Sequence, residues 1–206
     1  TFSILCIIIG GRIGYILLYN FNHYANNILD IFKIWQGGMS FHGGLIGVII
    51  ATIFFNRKSN HSSFIYLDVV SLVAPIGIFF GRVANFINSE LYGFETNLPW
   101  GVKFIKVDNF YRHPSQLYEA LFEGFILFLI LIYLRNKSFA KTPGFISGIF
   151  LIFYSIFRFT IEFFRVPDEQ LGNLLFNLTM GQIISLFFIL IGFYLVLTKY
   201  ENKKNT

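Results

Sequence analysis

Arginine, asparagine and glutamate embedded in a long apolar chain are the residues that demand a chemical account. In GRVANFINSELYG, residues 81–93, an apolar run arriving from Phe64 ends in Arg82, Asn85 and Glu90 before any turn signal. On a helix, Arg82 and Asn85 lie one turn apart and share a face. Such residues are costly at membrane depth, so they read first as a functional site turned toward the protein interior. The chemistry they suit is anion binding. A guanidinium presents planar paired donors that match phosphate oxygens, and it stays charged at every relevant pH. The structural alternative is that Arg82 and Asn85 close a helix end against Glu90 or backbone carbonyls.

A second constellation, Tyr154, Arg158, Glu162 and Arg165, recurs at i, i+4, i+8 and i+11, one helical stripe. An Arg158–Glu162 ion pair can lock the interior, or leave donors free for a second contact on a substrate. The two readings are compatible. His42 lies in GGMSFHGGLIG, residues 37–47, where glycines permit close backbone approach. It is either a satisfied structural group or the natural proton acceptor. Arg12 sits in IGGRIGY, with Gly10 and Gly14 spaced for close helix packing. It serves either an acidic partner or a ligand. HPSQLYEA, residues 113–120, is a good helix start around Pro114, with His113 and Glu119 as interior polar candidates. His23, His42, His61 and His113 make no metal-ligand spacing, so neither a metal nor a cofactor is expected. Cys6, the only cysteine, excludes an internal disulfide and reads as an inert thiol in an apolar run. There is no P-loop and no GxSxG motif.

The elements that must position these groups are membrane helices. Of the 206 residues, 55% are hydrophobic and 13% charged, about half the roughly 25% charge of soluble domains. Mean hydropathy is +0.62. The reading is an all-α integral membrane protein, a polytopic helix bundle of about six spans over 1–206. The apolar segments run roughly over 1–20, 41–56, 64–86, 117–134, 144–164 and 179–198. The second is marginal in length, and residues 87–116 form a small outward-facing loop region. Nucleic acid is not an expected partner, because no soluble basic domain exists to hold it.

Basic residues set the orientation. Arg57 and Lys58, then Arg135, Lys137 and Lys141, then Lys199, Lys203 and Lys204 mark the cytoplasmic side. The connections 21–40, 87–116 and 165–178 then face outward. Arg82, Asn85, Glu90, Arg158, Glu162, His42, His113 and Arg12 all fall toward that outer face. The inner halves of most spans are nearly unbroken Ile, Leu and Phe, apart from Asp68. A transporter or channel for an anion or lipid would need polar groups through both halves, which disfavours that alternative. A structural subunit using its arginines only to bind lipid is the third reading.

The stretches GRIGYILLYN, GGMSFHGGLIGV, GRVANFINSELYG, RHPSQLYEA and the R-x-x-x-E-F-F-R-x-P-D run at Arg158–Asp168 together resemble the bacterial prolipoprotein diacylglyceryl transferases. The similarity covers nearly the whole chain. The family has a further helix before Gly10, so a seventh span, and a chain missing its natural start, are expected. The resemblance implies transfer of the diacylglyceryl group of phosphatidylglycerol to the lipobox cysteine thiol of prolipoprotein signal peptides. A thioether forms and glycerol phosphate leaves. It implies a multi-pass protein of the bacterial plasma (inner) membrane with its active site toward the outer face. Carried onto this sequence, Arg82 binds the head group, with Asn85, Glu90, Arg12 and His113 as further substrate-binding candidates. Arg158 is the second essential arginine and His42 the candidate base, with Tyr154 and Glu162 beside them. Physics agrees with the assignment. A free thiol with a pKa near 8.5 needs a base or a positive field, and two arginines stabilise the charge growing on a departing phosphate. On this reading His42→Gln slows turnover more than it weakens lipid binding. Comparing single-turnover rates with lipid Kd checks it, and a pure binding loss would move the base elsewhere.

Overall fold

A computed structural model describes residues 2–58, 62–167 and 178–204. The chain forms two compact units, Thr1–Tyr66 and Leu67–Thr206, each taken here by itself.

The first unit is a helix pair. Helix α1 spans Phe2–Tyr19, α2 Phe21–Asn26, two short 3-10 turns cover Ile28–Phe32 and Ile34–Gln36, and α3 spans Phe41–Lys58. Lipid tails are as apolar as leucine, so no hydrophobic force drives two membrane helices together; close van der Waals packing does. Small residues supply it here. A Cβ on Gly14 would stand 2.7 Å from Gly43 Cα, and one on Gly43 would stand 2.9 Å from Gly14 Cα. The α1 backbone also accepts a bond directly, Ser40 N donating to Gly11 O at 2.8 Å.

The second unit carries most of the apolar length. Helix α4 spans Ser63–Asn88, with Pro75 inside it. A two-residue antiparallel pair, β1 (Val102–Lys103) and β2 (Tyr111–Arg112), pairs Val102 with Arg112. Helix α5 (Ser115–Glu119) continues through a π-helical stretch, Ala120–Ile126, into α6 (Leu127–Arg135). Helix α7 (Phe145–Ile161) ends in a 3-10 turn over Glu162–Phe164, and α8 spans Met180–Lys204. Ser63–Asn88, Ser115–Arg135, Phe145–Phe164 and Met180–Thr198 are long and apolar enough to cross a bilayer. Phe2–Leu17 and Ile46–Arg57 are shorter apolar helices. The six expected spans are therefore all helical, and the expected all-α polytopic fold is observed.

The distribution of side chains is that of a protein solvated by lipid. Phe80, Ile87, Phe187, Leu190 and Tyr194 lie exposed along the helices, while Glu119, Glu123, Gln116 and Ser155 are wholly buried. The apolar core is correspondingly small, built on Leu127, Leu131, Ala140, Phe145 and Ile146. The loop region expected at 87–116 contains the β1–β2 pair, a feature of pairing between distant residues that no local pattern announces.

Asp68, an acid within the apolar length of α4, has a structural answer. The first amides of a helix lack intrahelical partners. The Asp68 carboxylate supplies them to α7, accepting from Gly144 N at 2.7 Å, Ser147 N at 2.8 Å and Ser147 Oγ at 2.5 Å. It joins α4 to the opening of α7. Hydrogen bonds to a charged acceptor contribute roughly 1.5–3 kcal/mol, so Asp68→Ala is expected to cost about 2–3 kcal/mol. The loss reads as a lower thermal midpoint in detergent, with Asp68→Asn recovering part of it.

Candidate active site

The site is built around the turn that ends α4. Glu90 N donates to Asn85 O at 2.9 Å, and the chain then reverses through Ser89 and Leu91 at φ 63° and 57°. Left-handed backbone at a leucine is strained and persists only where surrounding contacts impose it. Those contacts come from the first residues of α5. Ser115 Oγ donates to Leu91 O at 3.0 Å, and Gln116 Nε2 donates to Glu90 O at 2.5 Å. The polar residues of HPSQ thus clamp SELYG. Main-chain bonds extend the clamp: Gly93 N to His113 O (3.0 Å), His113 N to Phe94 O (2.9 Å), Phe94 N to Phe164 O (3.0 Å) and Val166 N to Tyr92 O (3.2 Å). The segments that follow α4, precede α5 and follow α7 are thereby knitted together. Gly93 is needed there, because a Cβ would fall 2.6 Å from His113 Cβ.

Adjoining this clamp, through Arg165 and the helix begun by Ser115 and Gln116, is a knot of three guanidiniums and three carboxylates. Glu119, wholly buried, is its centre. Its Oε2 faces Arg82 Nε at 3.1 Å, and its Oε1 accepts a hydrogen bond from Arg158 Nη1 and lies 3.6 Å from Arg165 Nη1. Arg158 Nη2 reaches Glu162 Oε2 at 2.6 Å, and Glu162 Oε1 accepts from Thr179 Oγ1 at 3.0 Å, just ahead of α8. Glu123, also wholly buried, stands 3.8 Å from Arg82 Nη2 and 3.9 Å from Arg158 Nη1. Neither of its oxygens receives a hydrogen bond among the described residues. The Arg82–Glu119 contact is likewise an ion pair without hydrogen-bond alignment, since Glu119 Oε2 has no such donor. Buried ions are tolerable only when matched and closely placed, and the formal charges of these six groups cancel.

Local geometry explains how Glu119 and Glu123 reach it. They are one turn apart at the start of the π-helical stretch, a distortion frequent at functional sites. Next to Glu123, Gly124 lets the α4 backbone approach; a Cβ there would stand 2.8 Å from Phe79 Cα. Phe79 lies one turn before Arg82.

The sequence candidates are distributed as follows. Arg82, Arg158 and Glu162 meet in the knot. Tyr154, one turn before Arg158 on the α7 stripe, stacks on Phe150 with ring centroids 5.5 Å apart. Asn85 is half-buried, and its side chain makes no hydrogen bond with a described residue; the Glu90 side chain is exposed. Arg12 belongs to the first unit and donates only to backbone carbonyls. Nε binds Ile31 O, Nη1 binds Gly37 O and Gly38 O, and Nη2 binds Asp30 O and Lys33 O. These bonds close the loop after α2, and among the described residues no acidic side chain takes the partner role. His42 lies in α3, and its side chain falls outside the described residues. Glu123 and Thr179 were not read as site residues. A second glutamate four residues after Glu119, within an apolar helix, was the available signal for the first.

His113 sits in the clamp, its ring centroid 5.2 Å from that of Phe164. Trp100 Nε1 donates to Tyr118 Oη at 2.9 Å, and Tyr118 Oη lies 3.2 Å from His113 Nδ1. Tyr118 Oη thus bridges the indole N–H, which only donates, and the His113 ring nitrogen.

The family model described as prolipoprotein diacylglyceryl transferase matches residues 1–198. The chain belongs to the prolipoprotein diacylglyceryl transferase family. A phosphatidylglycerol–prolipoprotein diacylglyceryl transferase of Rickettsia felis is 52% identical over 198 residues, 95% of this chain and 76% of the relative. One of Rickettsia bellii is 52% identical, over 96% of this chain and 75% of the relative. One of Rickettsia canadensis is 50% identical, over 95% and 76%. In this diacylglyceryl transferase family member, three of the five motifs that carried the resemblance, GRVANFINSELYG, RHPSQLYEA and the run from Arg158, build the knot and its clamp.

Burial holds the His113 imidazole below its ordinary pKa of 6.5. The unfolded chain therefore takes up the proton more readily than the folded one, and stability contributed by neutral His113 is lost as pH falls through that value. The thermal midpoint is expected to be lower at about pH 5.5 than at about pH 7.5, and His113→Gln to flatten that difference.

Proposed function

We infer that the chain is a phosphatidylglycerol–prolipoprotein diacylglyceryl transferase, moving the diacylglyceryl group of phosphatidylglycerol to a prolipoprotein in the first step of lipoprotein maturation. Membership of the family supports this activity. The observation that carries the chemical assignment is the state of Arg82. It is held through Nε, while its two terminal nitrogens have no hydrogen-bond acceptor among the described residues. That leaves the planar fork suited to a phosphate. Arg158, bound between Glu119 and Glu162, keeps the fork in place and adds positive potential.

In the proposed reaction the lipobox cysteine sulfur attacks the lipid glycerol carbon that bears the phosphate. A carbon–sulfur bond forms, the carbon–oxygen bond to phosphate breaks, and glycerol phosphate departs with the electron pair. His42 is the proposed acceptor of the thiol proton. Arg82 receives the charge that grows on the phosphate. Asn85, Glu90 and His113 are proposed to line the head-group side, and Tyr154 and Glu162 to steady Arg158. Arg12 enters as the support of its own loop, since its donors are committed. The site is proposed to open at the outer face of the bacterial inner membrane, where the clamp connections and both substrates would lie. A charge-balanced knot is not a cation-lined path, which further disfavours an anion transporter.

The purified protein, mixed with phosphatidylglycerol and a lipobox peptide, is expected to add a diacylglyceryl mass to the peptide. Arg82→Ala should abolish the addition. Arg158→Lys should slow it roughly 10²-fold, because one ammonium cannot span Glu119 and Glu162 as a guanidinium does. Turnover at the normal rate by Arg82→Ala would remove that residue from its role.

A further inference from the structure

Within the knot, Arg82 and Arg158 are held differently. Arg158 has both terminal nitrogens engaged, by Glu119 and by Glu162. Arg82 is engaged through Nε, by Glu119 alone at close range, and its terminal fork is open. Glu119 is therefore the close restraint on Arg82, Glu123 standing farther off at 3.8 Å from Nη2, and the same Glu119 carboxylate is held by Arg158 through its other oxygen. Its own place is secured by the helix whose first residues, Ser115 and Gln116, clamp the α4 turn.

We propose that Glu119 is a positioning residue for phosphatidylglycerol, aiming the Arg82 fork at the lipid phosphate. The proposal rests on the reading that Arg82 receives that phosphate. A free arginine side chain carries about 2 kcal/mol of rotamer entropy, and an anion binding to it must first order it. Glu119 imposes that order in advance. Charge and shape both matter. A carboxylate offers two oxygens, one toward Arg82 and one toward Arg158 and Arg165. An amide offers one oxygen and one amino group, and the amino group would confront a guanidinium donor with a donor. Glu123 cannot substitute, because its oxygens stand outside hydrogen-bond reach of both arginines.

The test is a double-mutant cycle read by lipid binding, which remains measurable in inactive variants. Displacement of a fluorescent phosphatidylglycerol from detergent-solubilised protein gives Kd for the unaltered chain, Glu119→Gln, Arg82→Ala and the double variant. Glu119→Gln is expected to weaken binding about tenfold, a coupling ordinary for residues in one ion-pair network. In the Arg82→Ala background the same change should add less than about twofold, since no fork remains to be aimed. The KM for the lipobox peptide should change less than about twofold in Glu119→Gln. Should Glu119→Gln fail to fold, Glu119→Asp carries the test, keeping the charge while withdrawing it by one methylene. Its lipid Kd is then expected to rise only with Arg82 present. Equal loss in both backgrounds, or unaltered binding by the Glu119 variant, overturns the proposal. Unaltered binding by Arg82→Ala overturns instead the reading on which it rests.

Discussion

A carboxylate shut away from water persists only if cations come to it, and Glu119 is met by three. Those cations arrive from α4, from α7 and from the segment just beyond α7. Every one of those elements is constrained by the same condition. Moving any of them away would leave charge uncompensated in a medium where that is costly by several kcal/mol. The knot, the proposed centre of the chemistry, is thus also a restraint on the helices of the second unit. Glu162 extends it toward α8, where Thr179 supplies a hydroxyl and Gly181 leaves room for the carboxylate.

The strained turn after α4 belongs to the same arrangement. Leu91 and Ser89 would relax if left alone, and Ser115 and Gln116 prevent it by taking the carbonyls of Leu91 and Glu90. The main-chain bonds among Tyr92–Phe94, His113 and Phe164–Val166 then hold Arg165 close to Glu119. Outside the knot, Arg112 ties the β1–β2 pair to the same region through Asp108, at 2.6 Å, and Glu95. Motifs separated by tens of residues in the chain are therefore parts of a single clamp.

Elsewhere the protein relies on what a bilayer allows. Its helices expose phenylalanine and isoleucine and approach one another where side chains are small: Gly14 on Gly43 in one unit, and in the other Gly148 on Gly192, where a Cβ would lie 3.1 Å from the facing carbonyl. Polar side chains are kept for duties that lipid cannot perform. Asp68 completes the N-terminus of α7, and Arg12 satisfies five carbonyls of the segment of short 3-10 turns between α2 and α3.

Much of this was legible in the sequence. Runs of about twenty apolar residues dictate helices, because only internal hydrogen bonding survives in lipid. Arg82, Arg158 and Glu162 stood out because ionisable groups in such runs need a reason. The i, i+4 spacing of Arg158 and Glu162 foretold their ion pair. The partners that lie far away in sequence were not legible. Which carboxylate meets Arg82, whether Arg12 serves a ligand or a loop, and what Asp68 caps depend on helix crossings, and periodicity fixes a face without fixing the neighbour opposite it. Glu123 shows the difference plainly. Its place on the inner face of its helix follows from the chain, but its standing beside two arginines follows only from the π-helical turn and the close passage at Gly124.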